Sequence, residues 1–214
     1  MTTPPPTERT RIRREAHRAH YDRATIEAIL DDSLACHVAF TDDAGVHCIP
    51  TACWRTGGHL YLHGSNGSRM LKALQQGDCC ITVTHLDGLV LARSAFNHSI
   101  NYRSVVVYGR CETVEGEAKA AALDAFLERL APGRSREARP GDRNELASTT
   151  VLRIALTEAA AKVREGGPND DADDLQRPVW AGVLPWERRE LAPVRASDPA
   201  LPEPDYVRRW GAGR

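Results

Sequence analysis

The sequence predicts an α+β domain, mainly β: a small antiparallel barrel with helices added between its strands. Three observations carry this expectation. About six or seven strand-like segments follow one another, most joined by short hairpin turns. Helices do not alternate regularly with those segments, as a doubly wound parallel sheet requires. The chain has 214 residues, 42% of them hydrophobic, which suits one core rather than two.

The elements follow in order. Residues 1–20 open with three consecutive prolines and carry Arg9, Arg11, Arg13, Arg14 and Arg18, an extended basic arm. Asp22 caps a helix whose apolar stripe is Ile26, Ile29 and Leu30. Strands are expected over Leu34–Thr41, Val46–Arg55 and His59–His63, with turns at Asp42–Gly45 and Thr56–Gly58. Pro50 removes a ladder donor, so it belongs at an edge or a bulge. A helix begins near Ser68. Further strands are expected over Cys79–His85 and Leu89–Ala95, joined across Asp87-Gly88, and over Tyr102–Val114. Val105 to Tyr108 is apolar on both faces and belongs in a covered sheet. Leu123, Phe126, Leu127 and Leu130 give the i, i+3, i+4, i+7 pattern of an amphipathic helix over about Glu117–Leu130. Arg134–Arg143 is polar and Pro/Gly-containing, expected to be mobile, and a last strand covers Thr149–Leu156. From Glu165 onward the chain is rich in Gly, Pro, Asp and Trp; it wraps the domain or a second subunit. The expected organisation is an arm (1–20), one domain (21–187) and a tail (188–214).

Charge is balanced, 28 Lys+Arg against 29 Asp+Glu, so nothing global attracts nucleic acid or an anionic membrane. No apolar run approaches the roughly 20 residues of a membrane span, and MTTPPPTERTR lacks the apolar core of a secretory signal. A cytoplasmic protein is expected. The cysteines, Cys36, Cys48, Cys53, Cys79, Cys80 and Cys111, sit in strand-like runs without a CxxC pair. They suit buried, reduced thiols rather than a zinc site. His17 and His20 stand too isolated to make a metal site.

The most informative stretch is LYLHGSNGSRMLKAL, Leu60 to Leu74. A strand ends at His63, a Gly/Ser/Asn turn follows, and a helix opens with Ser68 and Arg69. Hydroxyls, free N–H groups and a cation thus meet at a helix start, which favours a phosphate. Ser65 and Ser68 either cap the helix or bind the anion. Arg69 and Lys72 share one helix face. His63 alternates with Tyr61 and His59, and its ordinary pKa suits proton donation near neutrality. It is the candidate catalytic residue, against pocket-lining and structural alternatives. His98 is a similar case with less support. Trp54, Trp180 and Trp186 more often close a core or an interface than stack on a ring.

The chain resembles the pyridoxamine-5′-phosphate-oxidase-like FMN-binding split-barrel family, and within it the branch that includes nitroimidazole-resistance reductases. The carrying motifs are YDRATIEAIL (21–30), LYLHGSNGSRMLKAL (60–74), LDGLVLARSAFNHSINYRSVVVYG (86–109), AAAKVREGGPNDD (159–171) and PVWAGVLP (178–185). The resemblance implies a homodimer of six-stranded antiparallel split β-barrels, with FMN bound non-covalently at the dimer interface. It implies that Ser65, Ser68 and Arg69, with Lys72 beside them, hold the phosphate. Ile49, Pro50 and Thr51 would run along the flavin ring. Asn101, Tyr102, Arg103 and Ser104 would approach from the neighbouring strand, His63 would face the flavin, and Trp180 would cover the site from the partner. Met70 after Arg69 departs from the two consecutive basic residues of true pyridoxamine-phosphate oxidases, which puts that substrate in doubt. Lys162 and Arg164 pair with acidic neighbours or reach the cofactor phosphate; both readings stay open.

The expected function is FMN-dependent transfer of hydride to a small electrophile, a nitro-aromatic among the candidates. A Rossmann fingerprint is absent, so NAD(P)H would bind transiently or not at all. The alternatives are a non-enzymatic flavin-binding or sensor protein, and a split barrel holding heme or deazaflavin, with His63 or His98 as axial ligand to a heme.

Overall fold

The strand Gly45–Thr56 changes partners halfway along its length. Its first part, to Ala52, pairs with one neighbour, and from Cys53 it pairs with another. This crossover joins two sheets into a split barrel in the computed structural model, which describes residues 3–196 and 201–211. The remainder of the arm and tail lies outside the described residues.

In chain order the elements are β1 (Ala19–His20), α1 (Arg23–Asp31), β2 (Ala35–Asp42), β3 (Gly45–Thr56), β4 (His59–Ser65), α2 (Arg69–Leu74), β5 (Asp78–Leu91), β6 (Ser99–Arg110) and β7 (Glu112–Val114). There follow α3 (Gly116–Leu130), α4 (Arg143–Ser148), β8 (Thr149–Ala155), β9 (Ala159–Arg164), β10 (Gly182–Pro185) and α5 (Asp205–Arg208). The strand order is β1-β9-β6-β5-β2-β3-β4-β8-β7, all antiparallel, with β10 on the far part of β5. No helix among the described residues is long and apolar enough to cross a membrane.

The α+β split barrel expected from the sequence is present, with ten strands among the described residues rather than six. β1, β7 and β10 are short pieces with little pattern of their own. β9 is Ala159-Ala160-Ala161-Lys162-Val163-Arg164, where alanine gives no strand signal and pairing with β6 decides the conformation. Lys162 and Arg164 therefore lie inside a strand, not after the last one.

Two further expectations are corrected. Asp87-Gly88 is not a hairpin turn: β5 runs through it against β6, with a register slip between Leu86 and Gly88. The extra residue Asp87 turns its carboxylate to Arg103, at 2.9 Å, so this is a bulge. Gly88 has φ +156°, and a Cβ there would lie 2.7 Å from the Leu184 carbonyl oxygen on β10. The expected strand Tyr102–Val114 is split at Cys111, and its two parts, β6 and β7, belong to different sheets.

The main core lies between the sheets. Val38, Leu60, Leu62, Ile81, Val105 and Leu152 are its sheet residues. Ile26, Ile29 and Leu30 of α1, the predicted stripe, close one side, and Met70, Leu71 and Leu74 of α2 another. Each such side chain contributes roughly 1.5–3 kcal/mol on burial. Asp22 caps α1 by accepting from the Thr25 N–H at 2.9 Å. A smaller cluster of Trp54, Val114, Ala122 and Val151 lies under α3, with Tyr61, Leu123 and Phe126 against it. Of the predicted α3 stripe, Leu130 instead is 39% exposed and lines a 540 Å³ cavity with Trp210 of the tail.

Residues 134–143 carry ordered contacts. Glu128 accepts from the Gly133 and Ser135 N–H groups at 2.7 and 3.2 Å, and Asp142 and Glu145 form a capping box on α4. The segment after Glu165 wraps the domain: Asp170 pairs with Arg93 at 2.6 Å, and the Trp186 N–H donates to the Asp87 carbonyl at 3.0 Å.

Candidate functional site

The turn from β4 into α2 is built as its sequence indicates. Ser68 caps α2 by accepting from the Leu71 N–H at 3.3 Å, and Ser65 accepts from the Gly67 N–H at 3.2 Å. Neither bond uses the hydroxyl hydrogen, so each serine can hold the turn and still donate to an anion. Asn66 fastens the turn to the neighbouring segment: its amide donates to the Ala147 carbonyl at 2.7 Å, and it accepts from Thr150 at 2.8 Å.

Arg69 is exposed and held from the β2–β3 hairpin. Its Nε lies 3.2 Å from Asp42 Oδ2, and its Nη2 lies 3.1 Å from His47 Nδ1. His47 Nε2 meets Asp42 Oδ1 at 2.8 Å. These contacts fit a neutral His47 that donates from Nε2 and accepts at Nδ1. The Ala44 N–H, then His47, with the Arg69 charge adding to them, hold the Asp42 carboxyl below the usual carboxylate range. Arg69 and Lys72 line a 710 Å³ depression with the hairpin tip, Thr41 to Ala44. Sequence reasoning missed Asp42 and His47. The available signal was alternation: His47 shares a strand face with Ile49 and Thr51.

Between Gly45 and Thr51, β2 is the only sheet partner of β3 among the described residues, and its other edge carries no strand of theirs. Pro50 sits on that edge, opposite His37, and is exposed. Ile49 points inward and packs on the main core. Ile49, Pro50 and Thr51 thus provide an unpaired edge on the strand that also supplies His47.

His63 lies on β4, two residues before Ser65, on the face that α3 covers. Its ring centroid is 4.8 Å from that of Phe126 and 5.5 Å from that of Trp54. Nδ1 is buried and has no hydrogen-bond partner among the described residues, and neither has the Trp54 indole nitrogen. Burial pushes the His63 pKa below its ordinary value. A neutral ring near neutrality is a poor proton donor and a good metal ligand. His98, by contrast, is exposed and bonded at Nδ1 to the Ser94 carbonyl at 2.9 Å.

The remaining predicted residues lie elsewhere in the chain. Asn101, Tyr102, Arg103 and Ser104 are on β6, which is not the neighbour of β3: β5 and β2 stand between them. Asn101 is buried and donates to the Gly166 carbonyl at 3.1 Å. Arg103 is paired with Asp87 at 2.9 Å and Asp32 at 3.2 Å. The Ser104 hydroxyl donates to the Lys162 carbonyl at 3.3 Å. Trp180 is 61% exposed and its ring lies over Gly182.

A search of curated proteins found no match. The family model described as pyridoxamine 5'-phosphate oxidase matches residues 22–163. Among solved structures, the chain is 40% identical to the flavocytochrome Anf3 from Azotobacter vinelandii, over 96% of this chain and 98% of that one, with a TM-score of 0.92. It is 36% identical to the FAD and heme binding protein from Mycobacterium smegmatis, over 89% and 96% of the two chains, with a TM-score of 0.85. A putative 5-nitroimidazole antibiotic resistance protein from Bacteroides thetaiotaomicron shares the fold at 24% identity, over 68% and 86%, with a TM-score of 0.57. The match over residues 22–163, together with the split barrel, shows that the chain belongs to the pyridoxamine 5'-phosphate oxidase-like FMN-binding split-barrel family.

Proposed function

We propose that the protein is a flavin- and heme-binding oxidoreductase, in which His63 would hold the heme iron and the β4–α2 turn would anchor the flavin phosphate. One observation carries the heme assignment. The His63 ring has a buried nitrogen without a hydrogen-bond partner among the described residues, beside Trp54 and Phe126, and burial disfavours its charged form. That is the chemistry of a histidine that would ligate iron. The two neighbours at 40% and 36% identity, described as a flavocytochrome and as an FAD and heme binding protein, support the pairing of cofactors.

The donor set at the turn fits a flavin nucleotide. Ser65 and Ser68 retain hydroxyl hydrogens, and Arg69 offers a planar fork steadied by Asp42 and His47. Lys72 adds charge one helical turn on. The free β3 edge at Ile49, Pro50 and Thr51 offers main-chain groups to a ring edge. A flavin supplies exchange between two-electron and one-electron chemistry, and a heme supplies one-electron and dioxygen chemistry. The chain's own part is to orient each group, exclude water around His63 and fix the phosphate. A homodimer that brings the β3 edge of one copy to the Asn101–Ser104 group of the other would complete one site from both.

The flavin is FAD in this reading, by likeness to the M. smegmatis protein. A second reading is favoured by the open β3 edge beside His47 and Arg69. In it, FMN alone passes hydride from NAD(P)H to a small acceptor at the dimer interface. Absorption of the purified protein separates the two. A Soret band with flavin bands supports the first reading; flavin bands alone support the second. Acid extraction and mass spectrometry then name the flavin.

A further inference from the structure

The cavity between the N-terminal segment and the end of β9 has no part in either reading. It measures 440 Å³ and is lined by Glu15, His17, Arg18, His20, Arg164 and the turn at Gly167. Arg164 is its unusual member. It is 6% exposed, and no carboxylate pairs with it among the described residues. Its guanidinium donates to the Asn101 side chain and to the carbonyls of Gly166 and Gly167, at 3.4 and 3.2 Å for the latter two. All three acceptors are neutral. They take three of its five N–H groups; the others have no acceptor among the described residues. Glu15 lies close enough for its charge to act on Arg164 but forms no ion pair with it among the described residues, and a buried cation without a directly paired anion is costly to the folded state.

Arg18 faces the same cavity. Burial first, and then the charge of Arg18, push the Arg164 pKa below its ordinary value. Two like charges are thus held toward one space. Arg18 is met at 3.3 Å by Glu15, whose carboxylate also lies 3.6 Å from His17 Nε2. Glu15 is the one non-glycine residue with positive φ among the described residues, at +55°. L-residues rarely adopt that conformation, so the carboxylate is held against Arg18 at some expense while Arg164 has no ion-pair partner among the described residues.

We propose that this cavity binds a phosphate-type oxyanion between Arg164 and Arg18, with Asn101 orienting the Arg164 fork and Glu15 competing for Arg18. Two planar guanidinium forks around one space suit such a group, and the volume lies within the range of small-molecule pockets. Two sources share this chemistry: free diphosphate, and the diphosphate of a bound dinucleotide flavin. With free diphosphate as the source the inference stands apart from the redox readings; with the flavin's diphosphate it rests on the FAD reading and would move the flavin phosphate from the β4–α2 turn to this cavity.

The test titrates inorganic pyrophosphate into the purified full-length protein, followed by calorimetry and phosphorus NMR, with flavin per chain counted from absorbance. Arg18→Gln is the principal variant, because it leaves no buried group unpaired. Glu15→Gln is the second. A free-anion site gives binding that weakens about tenfold or more in Arg18→Gln, the loss of a charged hydrogen bond, and tightens several-fold in Glu15→Gln. A site filled by the flavin's own diphosphate gives no added binding, and Arg18→Gln then carries less than half the wild-type flavin. Either result supports the proposal, and together they tell the sources apart. It is overturned by pyrophosphate binding that neither variant alters, or by no binding together with unchanged flavin content in Arg18→Gln. A colourless protein that binds pyrophosphate in the first manner refutes the redox readings and leaves this one standing.

Discussion

The imidazole of His63 lies against the phenyl ring of Phe126, with centroids 4.8 Å apart. A strand residue and a helix residue therefore share one apolar chamber, and α3 decides what reaches the histidine. On the proposed function, His63→Ala abolishes the Soret band of the purified protein and leaves the flavin bands in place. Visible spectra of the two proteins check this. An unchanged Soret band removes His63 from the iron.

The same burial sets a pH dependence for the cofactor-free protein. The folded His63 pKa lies below its ordinary value because burial disfavours the imidazolium. Above about pH 6.5 the ring is neutral in both folded and unfolded chains, and it contributes no slope. As the pH falls below about 6.5, the unfolded chain takes up a proton that the folded one refuses, so stability declines until the lowered folded pKa is passed. Melting temperatures between about pH 8 and 5 read this out. His63→Phe should flatten that part of the curve, and an identical slope in the variant assigns it to other groups.

Arg69→Ala should weaken flavin binding by roughly 1.5–3 kcal/mol, the worth of a charged hydrogen bond. Asp42→Asn removes the carboxylate that partly neutralises Arg69 and should leave the affinity equal or tighter. Fluorescence titration of the flavin-stripped protein gives both constants. Equal affinities in wild type and Arg69→Ala would place the phosphate elsewhere.

Gly88→Ala should destabilise the protein by about 1–3 kcal/mol, the usual cost of overpacking. The new Cβ would lie 2.7 Å from the Leu184 carbonyl oxygen and 3.0 Å from the Pro185 Cα, at a φ of +156°. The clash is with β10, so limited proteolysis should cut the variant near Gly182–Pro185 before the rest unfolds. Urea denaturation supplies the stability difference.

The thiols give a kinetic check on the core. Cys36, Cys53, Cys79 and Cys111 are buried, and Cys48 is exposed. The hydrogen-bonded neighbouring thiol, and then burial, push the Cys36 and Cys111 thiols up. An alkylating reagent should modify Cys48 first and reach the four buried thiols only on unfolding. Peptide mapping by mass spectrometry follows the order.

The strands with clear alternation or β-branched runs, β2, β3, β4 and β8, were legible in the sequence, as was α1 with its cap at Asp22. The turn from β4 into α2, with its cap at Ser68, was legible because glycine, serine and arginine occur there in an order that local geometry explains. Asp87-Gly88 was not, since a bulge and a hairpin turn use the same residues and only the partner strand tells them apart. β9 was hidden by three alanines. His63 was visible as a strand-end histidine, but its environment was not, because Phe126 reaches it from 63 residues further along the chain. Arg164 was flagged beside Lys162, and only burial distinguishes the two: Lys162 reaches the Arg14 carbonyl at 3.0 Å, whereas Arg164 is enclosed.

Because one continuous strand serves both halves of the barrel, the open margin around Pro50 and the ring of Trp54 are joined by a few residues of backbone, each advancing about 3.3 Å. A molecule resting on that margin and another held beside His63 would occupy different layers yet remain near neighbours. The crossover at Ala52-Cys53 thereby sets the two places on one unbroken strand, the first half in one sheet and the second in the other.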